Sequence, residues 1–233
     1  KTYANQLKAA GILEKVFAEQ PDHPGVAHYL IHSYDFPPIS AQGLTAARRY
    51  ASIAPSAPHA LHMPAHIFTR RGLWEESIET NRRSAATSKS HFDSLHAMDY
   101  LEYAYLQGAR DRDAKRVLDE ITAIKKVDRE HFVTAYALAA IPARYVLERG
   151  RWADAARLLP YPNERDFPWS NFPQGMAILV YARALGGARS GNAPAVRKEI
   201  ERLQRLREAM IEAKIAYWAQ QADIQIKVAS AWA

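Results

Sequence analysis

Histidine gives this 233-residue sequence its chemistry, because its positions are periodic. His28, His62 and His96 recur at a step of 34 residues, and His32 and His66 repeat the same step. His28/His32 and His62/His66 are i,i+4 pairs, so on a helix each pair shares one face and its imidazoles converge. Converging neutral imidazoles are bidentate ligands for a transition metal, which they bind at about 2.0–2.1 Å. If neighbouring repeats set the helices carrying these pairs side by side at the usual ~8–10 Å, His28, His32, His62 and His66 surround one ion. His96 lies two repeats from His28 and does not share that ion. With Asp99 and either His62 or His66 it defines a second candidate site that competes for ligands. Asp35, Asp93 and Asp99 are candidate acceptors for the outer ring N–H groups of such ligands. Two metal-free readings fit the same spacing: a ladder of histidines that hydrogen-bonds neighbouring helices together, and metal-free catalysis.

The chain contains no cysteine, so a transition-metal site here draws on His, Asp, Glu or Tyr. Imidazole suits Zn, Cu, Ni or Fe(II), and without thiolates the sequence does not choose among them. An enzyme built on such an ion needs an open coordination position and a base, and Asp35, Asp99, Glu102 and Tyr103 are available. No HExxH helix, glycine-rich phosphate loop or nucleophile elbow is present, so no reaction class is legible. His23 and His131 fall outside the register and are expected at the surface or capping helices.

These residues need helices at fixed intervals to hold them, and the sequence supplies the pattern. The segments PGVAHYLIHSYD, PHALHMPAHIFT and FDSLHAMDYLEY carry their first histidine at the same place, from Pro24, Pro58 and Phe92. The expected elements are an amphipathic helix over 3–19 and helical hairpins at about 24–55, 58–89, 90–127, 130–159 and 172–210. A final helix over 213–233 follows, the helix-forming run 193–233 bending near Glu208 to Lys214. Residues 160–173, with four prolines, read as a connecting loop, and Gly186-Gly187 with Gly191-Asn192 mark a turn. Two turns share the form Gly-x-Trp-x-x-small, at Gly72/Trp74/Ser77 and Gly150/Trp152/Ala155, where glycine reverses the chain and the indole wedges between two helices.

With that turn and a 34-residue period the chain resembles tetratricopeptide repeat proteins, in which helix hairpins stack because none can bury its apolar face alone. The resemblance implies an all-α fold, a single solenoid domain, and a concave groove that binds a protein or peptide. By register the groove-facing residues are His28, His32 and Asp35; His59, His62, His66 and Thr69; and Asp93, His96, Tyr100 and Tyr103. Arg70 beside them is a candidate contact for acidic or phosphorylated segments. More narrowly, HPGVAHYLIHSYD and APHALHMPAHIFTRRGLWEESIETN are similar to segments of a bacterial family of long tetratricopeptide proteins. The resemblance implies that this chain is the C-terminal portion of such a protein; it brings no activity with it. The chain departs from the pattern at the third pair, which lacks the Gly-x-aromatic turn, and at Tyr100, which stands where a further histidine would continue the ladder.

Composition narrows the partners. A net charge of +6 from 31 basic and 25 acidic residues is a modest excess, able to attract acidic groups but unlike the basic stripe with interleaved aromatics of a nucleic-acid binder. No nucleic-acid role is expected. No apolar run reaches the ~18 residues of a membrane span, which leaves a soluble chain of either the cytoplasm or the periplasm as the expectation. Tyr100, Tyr103, Tyr105 and Tyr136 are expected in helix packing.

Overall fold

The computed structural model describes residues 2–233 and, among them, is helical without a strand. The chain falls into two compact units, one ending at Asp111 and the other running Arg112–Ala233.

The first unit begins with α1 (Ala4–Glu19) and α2 (Pro24–Tyr34), continues through a 3-10 turn at Ser40–Gly43 into α3 (Leu44–Ile53), and then runs α4 (Pro58–His62), α5 (Pro64–Arg71), α6 (Trp74–Thr87) and α7 (His91–Gln107). Prolines open α2, α4 and α5 at positions whose N–H has no helical partner to lose. Pro64 also divides in two the helix expected from Pro58, because proline lacks an N–H and its ring crowds the carbonyl one turn back. Met63 nevertheless stays helical and donates to the His59 carbonyl, so the chain continues in nearly the same direction. The core is formed by Leu30 and Ile31 of α2, Ala46 and Ala47 of α3, and Met63, Ile67 and Phe68 around α5. Gly43 is required where these elements meet: a Cβ there would stand 2.9 Å from Ile67 Cδ1 and 3.0 Å from Tyr34 Cβ. α2 packs against α3 and α5, α6 against α4 and α5, and α7 against α4, α5 and α6. The histidine-bearing helices are therefore neighbours.

The second unit holds α8 (Asp111–Thr122), whose first residue closes the preceding unit, then α9 (Phe132–Glu148), α10 (Trp152–Ala155), α11 (Pro173–Arg189), α12 (Ala193–Glu212) and α13 (Ala216–Trp232). Two expectations are revised here. Gly186 and Gly187 lie inside α11 rather than in a turn; a Cβ on Gly186 would fall 2.3 Å from the Ala156 backbone nitrogen, so glycine permits the close approach of α10. The run 193–233 reverses rather than bends: Lys214 takes a left-handed φ of 59° and α13 packs back on α12 through Leu203, Met210, Ala219 and Ala222. The loop 160–173 carries its own packed aromatics, with Phe167 and Trp169 buried and the Trp169 indole N–H donating to the Pro162 carbonyl at 2.6 Å.

Five helix ends share one device. Gly72, Ala109, Gly150, Gly191 and Lys214 each have positive φ. The next residue's N–H in each case returns to a carbonyl five residues back: Leu73 to Phe68, Arg110 to Tyr105, Arg151 to Val146, Asn192 to Gly187 and Ile215 to Met210, at 2.8–2.9 Å. This is the Schellman arrangement that closes a helix by satisfying its last carbonyls. The third pair lacks the Gly-x-aromatic signature but closes with the same backbone device, with Ala109 in the glycine position.

Candidate metal centre

α2 supplies His28 and His32, α4 His59 and His62, α5 His66, and α7 His96. Their rings form a connected cluster: His28 lies 4.6 Å from His32 and 5.2 Å from His59 between centroids, His32 6.0 Å from His66, and His62 4.9 Å from His66 and 4.3 Å from His96.

Two partners orient the pair His62/His66. The Asn81 amide nitrogen donates to the Ser77 carbonyl at 2.8 Å, which turns its oxygen toward His62 Nδ1, 2.7 Å away. His62 therefore carries its proton on Nδ1 and donates it to Asn81. His66 Nδ1 lies 2.9 Å from Asp35 Oδ2 and donates to that carboxylate, and the Tyr100 hydroxyl stands 3.3 Å from the same nitrogen. In neutral rings with these tautomers both Nε2 atoms are acceptors, and they lie 3.1 Å apart. Two nitrogens at that distance, each about 2.0–2.1 Å from a shared ion, subtend roughly 100° at it, close to a tetrahedral angle. One ring nitrogen from each of His62, His66 and His96 lies within 4.8 Å of the other two, making these three the group of His, Asp and Glu side chains, among the described residues, that could hold an ion.

Electrostatics prepares the ligands. Burial, reinforced by repulsion from His96 and His66, holds the His62 imidazole well below its usual range, and burial with the nearby His66 brings His96 down to about 4. His28 falls to about 4 through burial and then the neighbouring His32, while burial also lowers His32 and His59. Neutral imidazole is the form that binds metal. Burial would raise the Asp35 carboxyl, but hydrogen bonds from His66 and from Arg70 Nε, the latter at 2.8 Å, outweigh it and keep the carboxylate ionised.

The ligand set expected from the register, His28, His32, His62 and His66, divides in the structure. His96 comes beside His62 and His66, whereas His28 and His32 pair with each other, Nε2 to Nε2 at 3.1 Å. The reason lies in side-chain orientation: the Asp35 and Asn81 hydrogen bonds aim two Nε2 atoms at each other, and α7 brings His96 over them. Asp99, expected as a ligand of a second site, is buried on α7 and lies outside the three-histidine group, where its charge favours protonated His96. Asp93 serves the start of α7, its N–H donating to Ser90 Oγ at 3.3 Å while its carboxylate accepts from that hydroxyl. Thr69 bonds Ser77 Oγ at 3.1 Å, and Tyr103 packs edge-on against Trp74 at 5.8 Å. Arg70, expected to face acidic segments, is engaged by Asp35. His23 and His131 accept from the N–H groups of Val26 and Val133 and cap α2 and α9.

Sequence reasoning missed Asn81. The available signal was a polar stripe, Ser77, Asn81 and Ser84, at i, i+4 and i+7 on the buried face of α6, where a helix normally presents apolar residues. No family model matches the chain, and no curated protein or solved structure matches it. Function is therefore argued from the site.

Proposed function

We propose that this chain is a tetratricopeptide-like binding scaffold whose first unit holds one transition-metal ion through Nε2 of His62 and His66 and a ring nitrogen of His96. The observation that carries the reading is the 3.1 Å separation of the two Nε2 atoms, each ring being fixed by a hydrogen bond at its opposite nitrogen. Ring nitrogens this close are bridged by a proton or by a cation; burial disfavours a proton on His62, and a metal ion is the bridge proposed here. Zn, Cu, Ni and Fe(II) all accept imidazole, and the absence of a carboxylate in the three-histidine group favours Zn or Cu over a non-haem Fe(II) site. The groove formed by the hairpins would receive a protein or peptide partner. The packing of α2, α5 and α7 as successive neighbours supports this stacked-hairpin reading.

A second reading is supported by the ligand count. Three protein ligands leave a fourth position for water, the pattern of catalytic zinc sites, in which the ion lowers the pKa of the bound water to about 7. Elemental analysis of untagged protein tests both readings at their root. In protein as purified, after extensive dialysis, about one tightly held ion per chain is expected, falling to a trace in His62→Ala and His66→Ala but retained in His23→Asn, which keeps the cap on α2. Wild-type stoichiometry in the first two variants, or no ion taken up by wild-type protein offered Zn, Cu, Ni and Fe(II) in turn, sinks the metal reading. Exchange of labelled solvent water on the bound ion, followed by hydrolysis assays, separates the enzyme from the scaffold.

A further inference from the structure

The three-histidine centre leaves half of the cluster unused. His28 and His32 sit on consecutive turns of α2 with their Nε2 atoms 3.1 Å apart, the same separation as in the buried pair. The His59 ring flanks them, 5.2 Å from that of His28. His32 also belongs to the wall of an open cleft of about 590 Å³ between α1 and α2, with Asn5, Gln6, Tyr29 and Ser33.

We propose that His28 and His32, with His59 alongside, form a second metal site that takes a divalent transition-metal ion and completes its coordination with water. Two observations support it. The i,i+4 spacing and the 3.1 Å separation give a bidentate chelate that needs no movement of the backbone. His32 also borders the open cleft, which gives solvent access to its side of α2. With two protein ligands rather than three, and with solvent at hand, this ion is held more weakly and exchanges faster than the one at His62, His66 and His96. It is also the outer end of a line of rings that reaches the buried centre through the 6.0 Å contact of His32 with His66, so the two sites are neighbours and repulsion between two divalent ions further weakens the second.

The test is equilibrium dialysis of the untagged full chain against Co(II), with circular dichroism to show that each variant is folded. Wild type should bind two ions in two classes, the second at least about tenfold weaker. His28→Gln/His32→Gln should lose the weak class and keep the tight one, and His62→Gln/His66→Gln should do the reverse. One ion per wild-type chain at saturating Co(II), or two ions in the folded His28→Gln/His32→Gln variant, overturns the second site while leaving the buried centre standing. A weak class that persists without any tight class leaves this inference standing and removes the buried centre. Loss of both classes in a folded His62→Gln/His66→Gln variant shows that α2 holds no ion of its own and overturns the proposal.

Discussion

At the scale of single residues, the orientation of His62 and His66 depends on groups outside the proposed ligand set. Asp35 and Asn81 hold the outer nitrogens, and removing such a partner typically lowers metal affinity by about 10–100-fold. Asp35→Ala and Asn81→Ala are accordingly expected to weaken the tight site by that factor with the ligands intact, as read by competition with a chromophoric chelator; unchanged affinity in both would show that these hydrogen bonds do not orient the ligands. Proton linkage gives a second expectation, for metal-free protein. His96 has its pKa lowered from 6.5 to about 4 by burial and the neighbouring His66, so between those values the unfolded state binds more protons than the folded one. Stability from this group is present above pH 6.5 and is lost as pH falls toward 4, amounting to on the order of 2–3 kcal/mol at full effect. Chelator-treated wild type should therefore lose thermal midpoint between pH 6.5 and 4.5, and His96→Gln should flatten that slope. A variant with the wild-type slope would place the acid sensitivity elsewhere.

At the scale of elements, the repeated helix end decides where hairpins close. Gly72, Gly150 and Gly191 occupy the left-handed position without steric penalty, but Ala109 and Lys214 hold φ of 55° and 59° with a Cβ present. A left-handed conformation costs an L-residue about 1–2 kcal/mol, offset in part by the flexibility that glycine adds to the unfolded chain. Ala109→Gly is expected to stabilise the protein by about 0.5–1 kcal/mol, measured as the denaturant midpoint at constant slope. Destabilisation would mean that the turn at Gly108–Arg110 is not held as described. The same turn explains why the third hairpin looked irregular in sequence: the motif was judged by its glycine, whereas the structure depends on the backbone conformation and its hydrogen bond from Arg110 to Tyr105.

At the scale of the whole molecule, every ligand of the proposed tight centre, and each partner orienting one, comes from the unit that ends at Asp111. The second unit has its own core around Val180, Leu203 and Met210. Metal binding stabilises only what it is linked to, so Zn(II) should slow amide hydrogen exchange in α4, α5, α6 and α7 while leaving α11, α12 and α13 unchanged. Equal protection of both units, seen by exchange mass spectrometry, would show that the chain responds to the ion as one cooperative body.

The sequence by itself determined the helical class, most helix boundaries and the periodic placement of the histidines, because apolar periodicity, proline starts and i,i+4 spacing are local properties of the chain. It placed His62 and His66 on one face and named Asp35 as an acceptor. The tertiary structure alone decided that His96 rather than the His28/His32 pair joins them, that Asn81 of α6 sets the His62 tautomer, and that Arg70 is engaged by Asp35. Those outcomes turn on side-chain directions across packed helices. A 34-residue register gives the order of the helices, whereas a hydrogen bond between residues 31 or 19 positions apart decides which nitrogen faces which.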